Sequence, residues 1–342
     1  MIVMRPIRAG DLDALFELSR HTAFGLTTLP QDRDFLARRI EESRASFERP
    51  AGRPQGEAYL FVAEDLATGA LAGTSGVVAK VGGFEPFYSY RIETTVHESQ
   101  ALKIRKEVRA LHLVMDHNGP CEIGSLFLSP DYRGAGLGRF LSLSRFLFMA
   151  DFPDRFDPQV VAEMRGVIDD SGRSPFWDAL GRHFFELDFA KADYLSMVNK
   201  AFIGELMPRH PIYIPLLPKA AQDVIGQVHS QTAPARAILE SEGFRFRGFV
   251  DIFEAGPLLH CPLTGIGAIQ RSVLGRIATI SDAPPAGAGP RLLSNARLDF
   301  RACIGPALCD EQGRVTIDRV TALTLAIRIG DPVRLTTLKP AG

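Results

Sequence analysis

The strongest chemical signal in the sequence is residues 122–149, which read as a strand, a glycine turn and a helix in succession. The turn, residues 133–138 with the sequence RGAGLG, has small residues where a backbone must approach a ligand. Apolar residues then recur at helical spacing from Phe140 to Leu147. Free N–H groups at the start of such a helix would face a pyrophosphate, so the stretch predicts a phosphate-binding site.

A glycine turn alone is a weak signal, because most such matches are plain tight turns between a strand and a helix. The turn matches neither a dinucleotide-binding loop nor a nucleotide-triphosphate loop. It resembles the R/Q-x-x-G-x-G/A motif of the GNAT superfamily of N-acyltransferases, in which this loop binds the pyrophosphate of an acyl-coenzyme A. The resemblance implies that the preceding strand pairs with the pantetheine arm, and that the coenzyme contacts Ser125, Leu126, Phe127, Leu128, Arg133, Gly134, Gly136, Gly138 and Arg139.

The composition is compatible with a globular enzyme of two or three domains. The chain has 342 residues, 46% of them hydrophobic and 23% charged, with a net charge of −1. This balance gives no bulk attraction to nucleic acid or to an anionic membrane, so neither is expected as a partner.

Cysteine usage and the N-terminus predict a soluble, cytoplasmic protein. No apolar signal core follows the N-terminal residues, and no later run is long enough to span a bilayer. The cysteines lack metal-type spacing, which predicts reduced thiols and no metal site; they are Cys121, Cys261, Cys303 and Cys309.

The elements around the glycine turn follow the order of the GNAT superfamily. A strand at 2–4, a helix from Asp11, a second helix at 32–47 and strands at 59–64 and 71–79 precede it. Residues 82–120 are longer than a minimal acyltransferase needs and predict an added hairpin near the substrate. The fold class is therefore α+β, a GNAT-like acyl-CoA N-acyltransferase with a mixed, mostly antiparallel sheet flanked by helices.

Two copies of a late helix motif leave the second half of the fold open. Residues 174–181 predict a helix capped by Ser174, followed by a strand at 184–189, and Trp177 stands where the superfamily often has an acidic tyrosine. An indole cannot release a proton at neutral pH. A looser copy at 237–244 precedes a strand-like run at 249–253. Either copy could complete the sheet, in two GNAT-like halves or in one with a long insertion.

The sequence predicts three regions. Residues 1–189 form the GNAT-like acyl-CoA-binding region, and residues 190–256 form a second half or insertion that carries His229. Residues 257–342 form a small β-rich domain or barrel, with strand-like runs at 272–280, 291–301, 315–317 and 322–329.

Several longer segments resemble the arginine N-succinyltransferases, among them PFYSYRIET, SPFWDALGRHFFELDF and ELMPRHPIYIPLLP. This resemblance implies transfer of succinyl from succinyl-CoA to the α-amine of L-arginine, the first step of arginine degradation by the succinyltransferase pathway. It implies no tightly bound cofactor. It also implies a homo-oligomer or pairing with a similar subunit.

The reaction requires a base, because an α-amine with a pKa of about 8 is mostly protonated at neutral pH. Glu122 lies eleven residues before Arg133, the spacing of the catalytic glutamate in histone-type members of the superfamily. The alternative is that Glu122 only ends an exposed strand. Backbone N–H groups near residues 125–127 could stabilise the oxyanion. The resemblance assigns His229 as the proton donor to the departing thiolate.

The two substrates also predict charged contacts. The succinyl carboxylate requires a cation, for which Arg91 and Arg165 are candidates. The arginine guanidinium requires a carboxylate and can stack on an aromatic ring, and the candidates are Glu163, Asp251 and Glu254 with Tyr88 or Tyr90.

Two rival functions stay open. One is another acyl-CoA-dependent amine N-acyltransferase, with an acetyl donor or with ornithine as acceptor. The turn would contact only the pyrophosphate, so it does not identify the acyl group or the acceptor. The other is a non-catalytic acyl-CoA-binding subunit, which the absence of a tyrosine at Trp177 would allow.

Overall fold

The structure is a computed structural model that describes residues 1–22, 28–134, 136–198 and 200–339. The helices are α1 Leu12–Ser19, α2 Arg33–Glu48, α3 Leu137–Asp151, α4 Pro175–Ala179, α5 Gly181–Phe185, α6 Phe189–Val198, α7 Ala201–Leu206, α8 Lys219–Val224, α9 Ala233–Ser241, α10 Gly267–Gln270 and α11 Arg319–Leu325. The strands are β1 Ile2–Pro6, β2 Ala58–Asp65, β3 Leu71–Val78, β4 Gly82–Ser99, β5 Ile104–Asn118, β6 Cys121–Leu128, β7 Gln159–Glu163, β8 Ile212–Tyr213, β9 Arg245–Val250, β10 Pro257–Pro262, β11 Val273–Ser281, β12 Gly289–Ser294, β13 Ala302–Cys309, β14 Arg314–Asp318 and β15 Pro332–Thr336.

The strands form one continuous sheet in the order β12-β15-β11-β14-β13-β1-β2-β3-β6-β7-β10-β9-β4-β5-β8. The β6–β7 and β11–β14 pairs are parallel, and the other pairs are antiparallel. The predicted α+β class with a mixed, mostly antiparallel sheet is confirmed.

Strands β6 and β7 separate after a short paired segment. They pair at Cys121 with Val160 and at Glu122 with Val161, and no further pair occurs between them in the described residues. On its other edge β6 stays paired to β3 as far as Leu128, with a register shift around Ser125. Beyond Glu122, the edge of β6 that faces β7 therefore opens into a cleft.

Helix α3 is the most deeply buried helix of the molecule because the sequence makes most of its faces apolar. Phe140, Leu141, Leu143, Phe146 and Leu147 are at most 1% exposed, as their spacing predicts. The helix packs against β3 and β6 of the central sheet and against β12 and β13 near the C-terminus. The start of the helix, which overlaps the glycine turn at residues 137 and 138, therefore belongs to an element held between the central sheet and the C-terminal strands.

The first late helix motif lies in an insertion of short helices, α4–α8. The Ser174 side chain caps α4 by accepting the Trp177 N–H at 3.2 Å, as predicted. Trp177 is fully buried, and its indole N–H donates to the Leu187 carbonyl at 2.9 Å. The strand predicted at 184–189 is wrong: this segment spans the end of α5 and the start of α6, where Phe185 and Phe189 pack against Trp177.

The second motif copy completes the central sheet. It forms α9 and then β9, and β9 pairs with β10, which pairs with β7. The strand lies at Arg245–Val250, a few residues earlier than its predicted position. The added hairpin is confirmed as β4 and β5, which join the sheet through β9.

The C-terminal strands close on themselves. β12, β15, β11, β14 and β13 pair in succession, and β13 also pairs with β12, which completes a ring. The strand predicted at 322–329 is wrong, because Asp318 caps helix α11 there by accepting the Thr321 N–H at 2.8 Å. The domain boundaries at 189 and 256 stay predictions.

All four cysteines are free thiols. Among the residues that the structure describes, no helix has the length and hydropathy that a membrane span requires.

Candidate active site

A cleft of about 1090 Å³ lies where β6 and β7 separate. Its walls come from β6, β7, the start of α3 and helices α2, α6 and α9. It collects predicted site residues that are far apart in sequence: Tyr88, Glu122, Ser125, Leu126, Phe127, Leu128, Arg133, Gly134, Gly138, Glu163, Arg165, Asp251 and Glu254.

The glycine turn leaves its backbone open to a ligand. Gly134 and Gly136 have positive φ values of +107° and +79°, a backbone conformation that residues with a Cβ atom rarely adopt. A Cβ added at Gly134, Gly136 or Gly138 would meet nothing within 4 Å. The first N–H groups of the fifteen-residue helix α3 have no partner within the helix, so this turn can receive a diphosphate.

The side chain of Arg139 is directed away from this turn. Its guanidinium donates to Glu242 and to the Leu338 carbonyl, both at 3.3 Å. Glu242 is fully buried and also pairs with Arg271 at 2.8 Å. The predicted coenzyme contact from the Arg139 side chain is therefore not supported, because a buried carboxylate needs these cations.

A bulge in β6 shapes the wall where a thioester would lie. Ser125 has a φ of +52°, and its carbonyl accepts the Thr74 hydroxyl at 2.7 Å. The buried Arg145 guanidinium donates to the Gly124 carbonyl at 3.2 Å. The Ser125 hydroxyl accepts a hydrogen bond from Arg39, a residue that was not predicted to belong to the site. The bulge turns this part of the backbone out of the regular ladder.

Glu122 faces the cleft at the point where the strands part. Burial raises the pKa of its carboxyl, and attraction to Lys200 and Arg39 opposes the rise. A carboxylate with a raised pKa is a better base for an ammonium group than an ordinary surface glutamate. Glu122 lines the cleft, and its catalytic role stays a prediction.

Glu163 and Asp193 add negative charge next to Glu122. Glu163 lines the cleft, and burial, followed by repulsion from Asp251, raises its pKa well above the usual range. Burial and then repulsion from Asp251 raise the pKa of Asp193 to about 7. Arg165 faces Asp193 and Glu254, and burial lowers its pKa.

Asp251 and Glu254 shape the turn between β9 and β10. The Asp251 carboxylate accepts the N–H groups of Phe253 and Glu254 at 2.8 and 2.7 Å. Glu254 accepts the Gly166 N–H at 2.5 Å. Both side chains are less than 10% exposed, and burial raises the pKa of each. The Glu254 bond holds the segment that follows β7 against this turn, and the Asp251 bonds hold the turn itself.

The two tyrosine candidates differ. Tyr88 lines the cleft, but Tyr90 is completely buried and packs on Phe176 with ring centroids 6.3 Å apart. Tyr90 therefore cannot stack on a substrate. Arg91 follows it on β4, outside the residues that line the cleft, and pairs with Glu93 at the surface. The assignment of Arg91 to the succinyl carboxylate is not supported.

His229 lies at the rim of the cleft. Its backbone N–H donates to the Arg165 carbonyl at 2.9 Å, and its Nδ1 accepts the Gln231 N–H at 3.2 Å. Burial, and then the charge of Arg165, lowers the pKa of the imidazole. Gln231 and Thr232 line the cleft although His229 does not, so its role stays a prediction.

Sequence reasoning missed Arg39, Asp193 and Lys200, all of which line the cleft. Arg39 lies on a helix with many charged residues, and Asp193 and Lys200 lie in the helical insertion. None belongs to a motif, so only the fold could bring them to this site.

A parted strand pair, an open glycine turn at a helix start and buried carboxylates beside them define a GNAT-like acyltransferase. Residues 2–268 match the family model described as the arginine N-succinyltransferase beta subunit, and residues 275–337 match the model of its C-terminal domain. The chain belongs to the arginine N-succinyltransferase family and is an acyltransferase. The predicted GNAT-like fold class is confirmed.

Individual relatives are similar to this chain over almost its whole length. The arginine N-succinyltransferase of Enterobacter sp. (strain 638) is 45% identical over 99% of this chain and 98% of its own length. That of Shigella flexneri is 43% identical, with the same coverage. Subunit AI of the arginine/ornithine succinyltransferase from Pseudomonas aeruginosa has a TM-score of 0.89 and 37% identity, covering 99% of both chains.

Proposed function

We propose that this chain transfers the succinyl group of succinyl-CoA to the α-amine of L-arginine, giving N2-succinyl-L-arginine and CoA in the first step of arginine degradation. The observation that carries the proposal is the cleft at the β6–β7 split, with a diphosphate-binding turn at one end and Glu122 at the other. The family of the chain supports the choice of donor and acceptor.

The coenzyme lies along the open edge of β6. Its pantetheine arm pairs with the backbone of residues 125–128, and its diphosphate meets the turn at Gly134–Gly138 with Arg133 beside it. The bulge at Ser125 directs backbone N–H groups toward the thioester oxygen, where negative charge develops during attack.

Glu122 takes the proton from the α-ammonium group of arginine. The free amine then attacks the thioester carbon and the C–N bond forms. The positively charged nitrogen of the tetrahedral intermediate releases its extra proton to solvent, and the C–S bond breaks as the intermediate collapses to the amide. His229 gives a proton to the departing thiolate and regains one from solvent. Its place at the rim supports contact with solvent.

The guanidinium of the acceptor is bound at the acidic side of the cleft. Glu163 and Asp193 supply the charge there, since Asp251 and Glu254 use oxygens to hold their turn. Tyr88 lies at the same cleft for stacking. Arg165 balances these acids and is less available to a succinyl carboxylate.

Mass spectrometry of the products formed from succinyl-CoA and L-arginine tests the proposal. The expected product is N2-succinyl-L-arginine with one CoA thiol released per turnover. Ornithine belongs in the same assay, because the Pseudomonas aeruginosa relative is named for both acceptors. Transfer from acetyl-CoA but not from succinyl-CoA would contradict the proposal. Turnover by the purified chain alone would exclude a non-catalytic acyl-CoA-binding subunit.

We also propose that the chain assembles with a copy of itself or with a similar subunit. The matching family model is described as a beta subunit, and the Pseudomonas aeruginosa structure is that of a subunit. Light scattering after size-exclusion chromatography tests this. A single species of 37.5 kDa at micromolar concentration would argue against self-assembly.

A further inference from the structure

A small cavity adjoins the active-site cleft behind the bulge of β6. It has a volume of about 50 Å³, room for roughly four water-sized groups. It shares five lining residues with the main cleft, which are Thr28, Arg39, Glu122, Gly124 and Ser125. Its far wall contains Ser43 and Tyr59, so its lining is partly polar.

Arg39 brings a positive charge to the boundary between cleft and cavity. Its guanidinium donates to the Thr28 carbonyl and to the Ser125 hydroxyl. No carboxylate of the described residues lies within 4.0 Å of it, although Glu42 and Glu122 attract it from farther away. Burial lowers its pKa to about 10, which still leaves it charged at neutral pH. The guanidinium has five N–H donors, and the two contacts above leave others for a ligand.

Two hydroxyl groups reinforce this polarity. The Thr28 hydroxyl is buried and has no hydrogen-bond partner among the residues that the structure describes. A buried hydroxyl without a partner costs free energy, and a bound acceptor would remove that cost. The Ser43 oxygen accepts the Leu60 N–H at 2.8 Å, which leaves its own hydrogen as a donor.

We propose that this cavity, with Arg39 as its cation and the Thr28 hydroxyl beside it, binds the distal carboxylate of the succinyl group and selects succinyl-CoA over uncharged acyl donors. A thioester held at residues 125–127 would lie next to the cavity, and two methylene groups would carry the carboxylate past Ser125. The inference rests on the proposed function and replaces Arg91 and Arg165 in this role.

The test compares succinyl-CoA with butyryl-CoA, which has the same number of acyl carbons but no carboxylate. For Arg39→Gln we expect the ratio of kcat/KM for succinyl-CoA to kcat/KM for butyryl-CoA to fall about 30-fold or more, because the loss of the Arg39 charge beside Glu122 and Ser125 acts on both donors alike and only the carboxylate contact is specific to succinyl-CoA. Arg39→Lys keeps the charge and should recover part of the loss. Thr28→Val should lose about tenfold with succinyl-CoA only.

Arg44→Gln is the matched control, because Arg44 lies on the same helix, pairs with Glu41 at the surface and lines neither cavity. Equilibrium binding of both coenzymes, measured by calorimetry, gives a readout that does not depend on the acceptor. An Arg39→Gln protein that still prefers succinyl-CoA, or that loses both donors equally, overturns the inference. If the Arg39→Gln protein does not fold, the donor selectivity of Thr28→Val tests the inference in its place. A wild-type chain that binds succinyl-CoA selectively but does not modify arginine would overturn the proposed function alone.

Discussion

Glu122, Glu163 and Asp193 meet in a cleft that solvates their charged forms poorly, and burial is the largest cause of the raised pKa of each. Such carboxyls exchange protons closer to neutral pH than surface acids do. A cationic substrate changes this balance, because its guanidinium and ammonium groups stabilise the ionised carboxylates. The same side chains can therefore accept a proton from the acceptor and bind its positive charge.

Glu122→Gln should reduce kcat by about 10²–10⁴-fold, because the amide cannot take the proton from the α-amine. The KM for the acyl donor should change little. In the wild type, activity should fall as pH falls through the raised pKa of Glu122, above the value of about 4.3 for an ordinary glutamate, and the variant should lose this acid limb. A pH–rate profile checks this, with the exposed Glu41→Gln as control. An unchanged profile would remove Glu122 as the base.

Asp193→Asn should weaken the pH dependence of guanidinium binding, and part of it should remain because the pKa of Glu163 is also raised. The pKa of Asp193 is raised to about 7, so its carboxylate is mostly neutral below that pH and charged above it. Affinity for N2-succinyl-L-arginine, which has no free α-amine, should therefore increase as pH rises through 7 in the wild type and stay flatter in the variant. Calorimetry between pH 6 and pH 8, roughly one unit on either side of that pKa, checks this. The neighbouring Arg165 and Asp251 are the same in both proteins, and the Asp251 carboxylate accepts the Phe253 N–H at 2.8 Å.

The glycine turn and helix α3 act together, because the turn lies at the helix start, where the first N–H groups have no partner within the helix. The Leu137 N–H donates to the Gly134 carbonyl at 3.1 Å. Gly136 is the N-cap of α3 with a φ of +79°, where a Cβ would reach open space in the region expected to hold the diphosphate. A Cβ at residue 136 would therefore both strain the backbone and occupy space that the diphosphate needs.

Gly136→Ala should weaken CoA binding about tenfold or more and reduce stability by about 1–2 kcal/mol. Gly69→Ala is a matched control, because Gly69 has a φ of +75° and equally open surroundings in the turn between β2 and β3, away from the cleft. Thermal unfolding should show a similar loss of stability in both variants. Only Gly136→Ala should lose CoA affinity, and an equal effect on affinity would argue against a role for the turn.

Across the molecule, the buried Glu242 connects α9 to two arginines that reach the C-terminal residues. Arg139 and Arg271 pair with its carboxylate and also donate to the carbonyls of Leu338 and Thr337. Arg271→Met should therefore lower the free energy of unfolding by about 3 kcal/mol, since it leaves a buried charge poorly paired. Arg314→Met, which breaks an exposed pair with Asp310, should cost less than about 1 kcal/mol. Urea unfolding compares the two variants.

The sequence predicted those parts of the molecule whose signals are local. The glycine turn, the apolar face of α3 and the Ser174 cap depend on neighbouring residues, and the structure has them as expected. Residues 184–189 and 322–329 are apolar runs too short for their periodicity to separate strand from helix. Arg39 looks like any surface charge on a polar helix. Its place behind Ser125, 86 positions along the chain, follows only from the fold.

Helix α3 is braced from behind by the last strands of the chain. The side chain of its final residue Asp151 is 4% exposed and accepts a hydrogen bond from Arg334 of β15 at 2.7 Å, and Phe148 packs on Phe300 with ring centroids 5.4 Å apart. During synthesis, a nascent chain that has already left the ribosome as far as α9 still lacks this brace. A premature stop codon before β15 would thus weaken coenzyme binding at the start of α3, although every catalytic residue had been translated.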